Sequence, residues 1–278
     1  MSKHDNPTVV VRHVSKTYRI NKDGNERSLF QKSLKTEVKA LKPTTFAAFA
    51  GESIGILGKN GSGKSTLLSL IAGNEPLTSG DILVSSQPSL LGVSAALQPH
   101  LTGLENAKLG LLAKGLSPEQ VEELAMPACE WAEIGDAIHR PLNTYSSGMG
   151  ARLKFAISTA VKPEILLVDE ALATGDASFN AKAQKRMNSF LDDASTVFIV
   201  THSSGTINKH CTRALWLHEG ELIADDTARQ TTKWYNMWTQ KATSGDRFAA
   251  PKLIRRMKRT YSSKNIILDS EAARLLES

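Results

Sequence analysis

Cysteine is scarce in this chain. Cys129 and Cys211 stand alone and far apart, which leaves no disulfide framework and no paired-thiol metal site. Two idle thiols fit a reducing compartment. No apolar run reaches the roughly 18 residues that a membrane-spanning helix requires. The opening Met1-Ser2-Lys3-His4-Asp5-Asn6-Pro7 leads into no apolar segment, so a secretory leader is not expected. Internal repeats and low-complexity segments are missing. So are zinc-finger spacings, helix-turn-helix patterns and aromatic-rich RNA motifs. The expectation is a cytoplasmic protein that does not cross the bilayer.

What is present is apolar substance and positive charge. Hydrophobic residues make up 41% of 278 positions, enough for one large domain with a subdomain and a tail. The net charge is +6, and much of the excess falls in Lys252, Arg255, Arg256, Lys258, Arg259 and Lys264. This basic tail reads either as a solvated segment or as one attracted to the anionic cytoplasmic leaflet. Nucleic acid is a third reading without a supporting motif.

The strongest motif is Gly58-Lys59-Asn60-Gly61-Ser62-Gly63-Lys64-Ser65, which fits G-x-x-x-x-G-K-[ST]. An apolar run, 54–57, precedes it and a helix-forming run, Thr66 to Ala72, follows, closed by Gly73. Strand, glycine-rich loop and helix are the context the motif requires. The glycines let backbone N–H groups converge on one concavity, and the helix N-terminus adds positive potential. Lys64 would reach the β- and γ-phosphates, and Ser65 would hold Mg²⁺. An ordinary Gly/Ser-rich surface loop has no need of this flanking pattern. The chain is therefore expected to bind a nucleoside triphosphate.

Continuous apolar runs at 165–168 and 197–200 suit buried strands of a parallel sheet, with a crossover helix over 177–192. Asp169 and Glu170 end the first of them, at the edge where open α/β sheets bind ligands. Asp169 would hold Mg²⁺ and Glu170 would polarise an attacking water. Earlier, 8–14 reads as a strand that Ser15-Lys16-Thr17-Tyr18 ends, and 21–37 as a polar loop with a short amphipathic helix. Residues 40–50 read as a strand, and 77–84 as a turn and strand. The stretch Pro99 to Arg140 is rich in Leu, Ala and Glu. Within it, Ser117-Pro118-Glu119-Gln120 is a strong helix start. Residues 214–217 and 221–224 flank His218-Glu219-Gly220 as a hairpin, and 227–240 reads as a helix. There Trp234 and Trp238 face either the core or a membrane-side partner.

Tyr145-Ser146-Ser147-Gly148-Met149, ahead of a helical run over 151–160, resembles the signature of ABC transporters, usually Leu-Ser-Gly-Gly-Gln. It departs at Leu, at the first Gly and at Gln, and keeps the Ser and the second Gly. The resemblance covers about residues 8 to 225. It implies an α/β P-loop NTPase core with a mixed sheet over 8–240, an inserted helical subdomain over about 99–160, and a basic tail over 241–278. It also implies that Ser146 and Gly148 contact ATP held by a second copy, so that one chain carries half of each site. His202, after the 197–200 strand, matches the family's γ-phosphate histidine. Asp176 matches the acid of the loop that crosses the dimer interface. Tyr18 resembles the aromatic that stacks on adenine, with core packing as the other reading. Gln98 stands near the family's Mg²⁺- and water-contacting glutamine, whose usual position falls nearer Val93.

Further details narrow the resemblance. They are the altered signature, Asp169-Glu170-Ala171-Leu172-Ala173-Thr174-Gly175-Asp176, Leu101-Thr102-Gly103-Leu104-Glu105-Asn106, and the insert between Tyr18 and Ala40. These are similar to the ATPase subunits of teichoic-acid, capsular-polysaccharide and O-antigen exporters. Tyr18-Arg19-Ile20 and Cys211-Thr212-Arg213-Ala214-Leu215-Trp216 look closest to the teichoic-acid branch. The implied partners are a second copy and an integral membrane permease that carries a lipid-linked glycan, with the ATPase peripheral on the cytoplasmic face. Too few residues follow Gln240 for a carbohydrate-binding β-sandwich of roughly 100 residues. The competing class is a soluble ABC-type ATPase of DNA repair or translation. The segment between Ser65 and Ser146 lacks the long coiled coil of the first, and the single phosphate loop lacks the tandem cassettes of the second.

Overall fold

The computed structural model describes residues 7–21, 35–91, 97–169, 177–193, 196–244, 248–262 and 266–267. Its centre is a six-stranded sheet. In chain order its strands are β3 (Glu52–Leu57), β5 (Ser89–Leu91), β6 (Ile165–Val168), β7 (Thr196–Val200), β8 (Arg213–His218) and β9 (Glu221–Thr227), and in space the order is β5-β6-β7-β3-β8-β9. All neighbours run parallel except β8 and β9. The central strands are apolar over 165–168, 197–200 and 54–57 because helices or a second sheet cover both faces. The β8–β9 hairpin turns on Glu219 and Gly220, with φ of 50° and 75°. Two consecutive positive φ values make the tight turn that matches strand twist.

A second, antiparallel sheet has the order β2-β1-β4, from β1 (Pro7–Asn21), β2 (Lys35–Phe49) and β4 (Ser79–Val84). Here the structure corrects two expectations. Ser15 to Tyr18 does not end β1; the strand absorbs register shifts beside His13, whose φ is 49°, and continues to Asn21. The polar stretch before Ala40 is also strand from Lys35 onward, where its charged residues pair along the edge of β1. The short helix expected within 21–37 falls mostly on residues outside those described.

Helix α1 (Lys64–Ile71) packs between the two sheets, where Leu67, Leu68 and Ile71 join Val9, Phe46, Ile56 and Phe198 in one cluster. The opposite face of the large sheet carries α5 (Ala177–Asp193), α6 (Ser204–His210), α7 (Ala228–Thr243) and α8 (Ala249–Thr260). Trp238 lies in this core at 4% exposure, so the apolar environment rather than a partner surrounds it. Helix α8 buries Ala250, Leu253, Ile254 and Met257 and turns Lys252, Arg255, Arg256 and Arg259 outward. A third cluster belongs to the helical layer of α2 (Gly103–Leu112), α3 (Pro118–Trp131) and α4 (Ser147–Ser158). Reciprocal caps start its first two helices, Thr102 with Glu105 and Ser117 with Gln120.

Candidate functional site

Between β3 and α1 the loop folds around a cavity of about 290 Å³ lined by Asn60, Gly61, Gly63, Lys64, Ser65, Thr66, Asp169 and Val200. Gly63 adopts φ 99°, and a Cβ there would lie 2.6 Å from the Ala40 carbonyl oxygen. Gly58 is as tightly held: a Cβ would meet Leu217 O at 2.5 Å and Ser62 Oγ at 2.3 Å. Only glycine lets the backbone turn its N–H groups inward at this closeness. Helix α1 begins at Gly63 with no side chain capping it, so its first N–H groups face the cavity uncovered. The buried Ser62 hydroxyl has no hydrogen-bond partner within the described chain. A concave set of donors at a helix N-terminus is chemistry for a polyphosphate.

Lys64 is 7% exposed and donates to Gly58 O at 2.8 Å and Lys59 O at 3.1 Å. Burial pulls its pKa down, and the neighbouring Asp169 charge works the other way. The ammonium and the carboxylate thus line one cavity together with Ser65. A hydroxyl beside a carboxylate is an oxygen donor pair suited to Mg²⁺, which is otherwise bound through waters and substrate phosphates. The residues present fit that ion. Thr66 extends the lining toward Tyr18. The Tyr18 hydroxyl donates to Glu75 Oε2 at 2.6 Å, and the Lys16 ammonium stands 4.9 Å from its ring centroid. Burial and then Glu75 raise the phenol pKa, with the Thr66 hydroxyl opposing them.

The remaining expected site residues stand elsewhere. His202 is exposed, two residues past Val200, where β7 passes into α6. Gln98 is held by its backbone: buried Asn106 accepts from Gln98 N at 2.7 Å and donates to Gln98 O at 3.0 Å. Ser146 caps α4 by accepting from Met149 N at 3.2 Å, and it is exposed. Gly148 has open space around a would-be Cβ, with only Ser146 Oγ within reach, at 3.9 Å. Neither Ser146, Gly148, Gln98 nor His202 lines the phosphate-loop cavity of its own chain. Glu170 and Asp176 lie outside the described residues, as does Val93.

Asn106 and the anchorage of Tyr145, whose hydroxyl donates to the Ala137 carbonyl, escaped the sequence reading. A motif contains them, yet nothing in it says that Asn106 stitches three carbonyls, of Gln98, Leu101 and Thr102, to α2.

Comparison with known proteins agrees with this geometry. The ABC transporter family model matches residues 41–173. A teichoic acids export ATP-binding protein TagH of Listeria monocytogenes serotype 4b is 39% identical over 242 residues, spanning 83% of this chain and 72% of the relative. The chain belongs to the ABC transporter ATP-binding protein family. TagH of Staphylococcus haemolyticus is 36% identical over 77% of this chain and 83% of its own length. Among solved structures, the dimeric ATP-binding cassette MJ0796 bound to ADP and Pi superposes with a TM-score of 0.61 and 26% identity, covering 80% of this chain and 99% of that one. An ATP-binding subunit of an ABC transporter, TM-score 0.63 and 21% identity, shares the fold. The cassette is an ATPase, and the two relatives named above are teichoic acids export ATP-binding proteins, which does not favour a repair or translation role. Among the described residues no helix is long and apolar enough to cross a membrane.

Proposed function

We propose that this chain is the ATP-hydrolysing subunit of an exporter of teichoic acid or a related lipid-linked polysaccharide. It works as two copies against a separate integral membrane permease, peripheral to the cytoplasmic face of the membrane. The observation that carries the split-site part is the separation of Ser146 from its own phosphate-loop cavity. The hydroxyl and the N-terminus of α4 face solvent, where a second copy's triphosphate can meet them. The dimeric relative bound to ADP and Pi supports the same arrangement. The export assignment rests on the TagH relatives.

In this reading Gly58, Lys59, Asn60, Gly61, Ser62, Gly63, Lys64, Ser65 and Thr66 cradle the phosphates, and Tyr18 stacks on adenine. Ser65 and Asp169 hold Mg²⁺, with Gln98 beside it; the ion, when bound, neutralises phosphate charge. Glu170 orients the attacking water, His202 senses the γ-phosphate, and Asp176 crosses between copies. Because the phosphoryl group passes to water, the chain contributes positioning and charge stabilisation. The cassette over 8–240, with its helical subdomain at about 99–160, is followed by a basic segment over 241–278 whose helix α8 packs back on the core.

Mixing variants tests the split site. Lys64→Ala and Ser146→Arg chains should each be inactive alone. A mixture forms dimers with one intact site, from the phosphate loop of one copy and the signature of the other. Recovery of ATPase activity on mixing is expected; none at any ratio would sink the arrangement. For the cargo, deletion of the gene should leave a lipid-linked glycan accumulating inside the cell, and unchanged envelope glycan would refute export.

A further inference from the structure

The phosphate loop is tied to the C-terminal helix pair by contacts that the nucleotide chemistry above does not use. The Lys59 ammonium stands 4.8 Å from the centroid of the Trp238 ring. That ring is a closely packed platform. It is buried in α7 and meets Trp216 at 5.6 Å, Tyr235 at 5.7 Å and His218 at 5.2 Å between centroids. Lys59 itself is exposed, and its long stem would otherwise sample many rotamers. Its carbonyl oxygen accepts from Lys64 Nζ, so the same residue touches both the platform and the phosphate-seeking cation.

A second tie runs through backbone. Gly220 N donates to Ser62 O at 3.1 Å, and Lys42 N donates to Gly220 O at 2.7 Å. Adjacent Glu221 receives Lys258 of α8 at 2.6 Å and Lys42 at 3.3 Å. Both terminal helices therefore reach the loop, α7 through a ring and α8 through the β8–β9 turn.

We propose that Trp238 is a positioning residue for nucleotide binding, acting through Lys59. The face of an indole attracts an ammonium, and the attraction fixes the second residue of the loop. A loop ordered before binding loses less conformational freedom when the phosphates arrive, so affinity rises without a new contact to the ligand. Nucleotide affinity in this cassette then answers to the seating of α7. The inference rests on the loop being the ATP site, and it adds a residue far along the chain to that site.

The test uses the full chain with a non-hydrolysable ATP analogue. Lys59→Met removes the charge from an exposed position and keeps the stem. It should weaken binding about two- to fivefold, the range of an exposed cation–π contact. Lys59→Arg should restore binding. Fluorinated tryptophan, incorporated throughout, weakens the ring's attraction without changing packing. Affinity should fall stepwise with fluorination in the wild-type chain and stay flat in Lys59→Met. The same fluorine dependence in both chains, or none in either, overturns the role of Trp238. A wild-type chain that binds no analogue overturns the reading of the loop, and this inference with it.

Discussion

Gly103 and Tyr145 are fitted to each other across the helical layer. A Cβ on Gly103 would lie 2.2 Å from the Tyr145 hydroxyl oxygen, which itself donates to the Ala137 carbonyl at 2.5 Å. The signature's first position, usually Leu in this family, here holds a residue that reaches the first turn of α2. Gly103→Ala should therefore destabilise by about 1–3 kcal/mol, an overpacking penalty, despite alanine's better helix propensity. In a Tyr145→Leu background the penalty should largely vanish, leaving only the closeness of the Ile138 backbone at 3.1 Å and 3.2 Å. Urea unfolding of the four chains decides it. Equal penalties in both backgrounds would show that the two residues do not share the space.

That pair also marks how far the sequence was legible. The phosphate loop could be read because its chemistry is local: eight consecutive residues supply the glycines, the lysine and the hydroxyl. Strands β6 and β7 could be read because burial on both faces leaves an unbroken apolar run. Strand β1 could not be followed past Val14, since one side of its later part meets polar residues and a bulge breaks the alternation. Contacts between distant segments were invisible altogether. Nothing in Gly58–Ser65 announces Trp238, and nothing in the signature announces Gly103. The split between Ser146 and the phosphate loop came from family resemblance, because a site completed by a second copy has no local spacing.

On the proposed reading Lys64 and Glu170 have different tasks, and substitution should separate them. Lys64→Ala removes the cation that faces phosphate, and ATP binding should fall together with hydrolysis. Glu170→Gln keeps size and hydrogen bonding but loses basicity. It should leave binding intact and nearly abolish turnover. Filter binding and phosphate release, measured on the same preparations, distinguish the two outcomes. Unchanged turnover in Glu170→Gln would remove that residue from catalysis.

Arg213 fastens three strands. It donates to both oxygens of Asp225 at 2.6 Å and 2.7 Å, to Glu52 at 3.0 Å and 3.1 Å, and to Ala47 O at 2.9 Å. Burial works against its charge, yet Asp225 and then Glu52 outweigh it and hold the guanidinium above its usual pKa. The Asp225 side chain is only 3% exposed. Arg213→Met leaves that carboxylate buried without its fork and should destabilise by about 3–5 kcal/mol. Arg213→Lys should recover only part, because an ammonium cannot span both partners. Denaturant midpoints give the comparison, and a loss below about 1 kcal/mol in Arg213→Met would contradict the assignment.

Lys114 should make stability depend on pH in the alkaline range. Its ammonium is packed behind α2, donating to Ser89 Oγ at 3.0 Å and Ser158 O at 2.9 Å, on the wall of a cavity of about 680 Å³. Burial lowers its pKa to about 8. Below that value folded and unfolded chains both carry the proton, and the folded chain bears the full penalty of a buried charge. Between about 8 and the usual lysine value of 10.5, the unfolded chain holds more protons than the folded one. Stability attributable to this residue therefore rises with pH across that window, by up to about 3 kcal/mol. Lys114→Met has no such group. The stability of wild type relative to the variant should climb from pH 8 to pH 10.5 and be level between pH 6 and 7.5. Parallel curves for the two chains over the whole range would mean that the ammonium is not held in a dry environment.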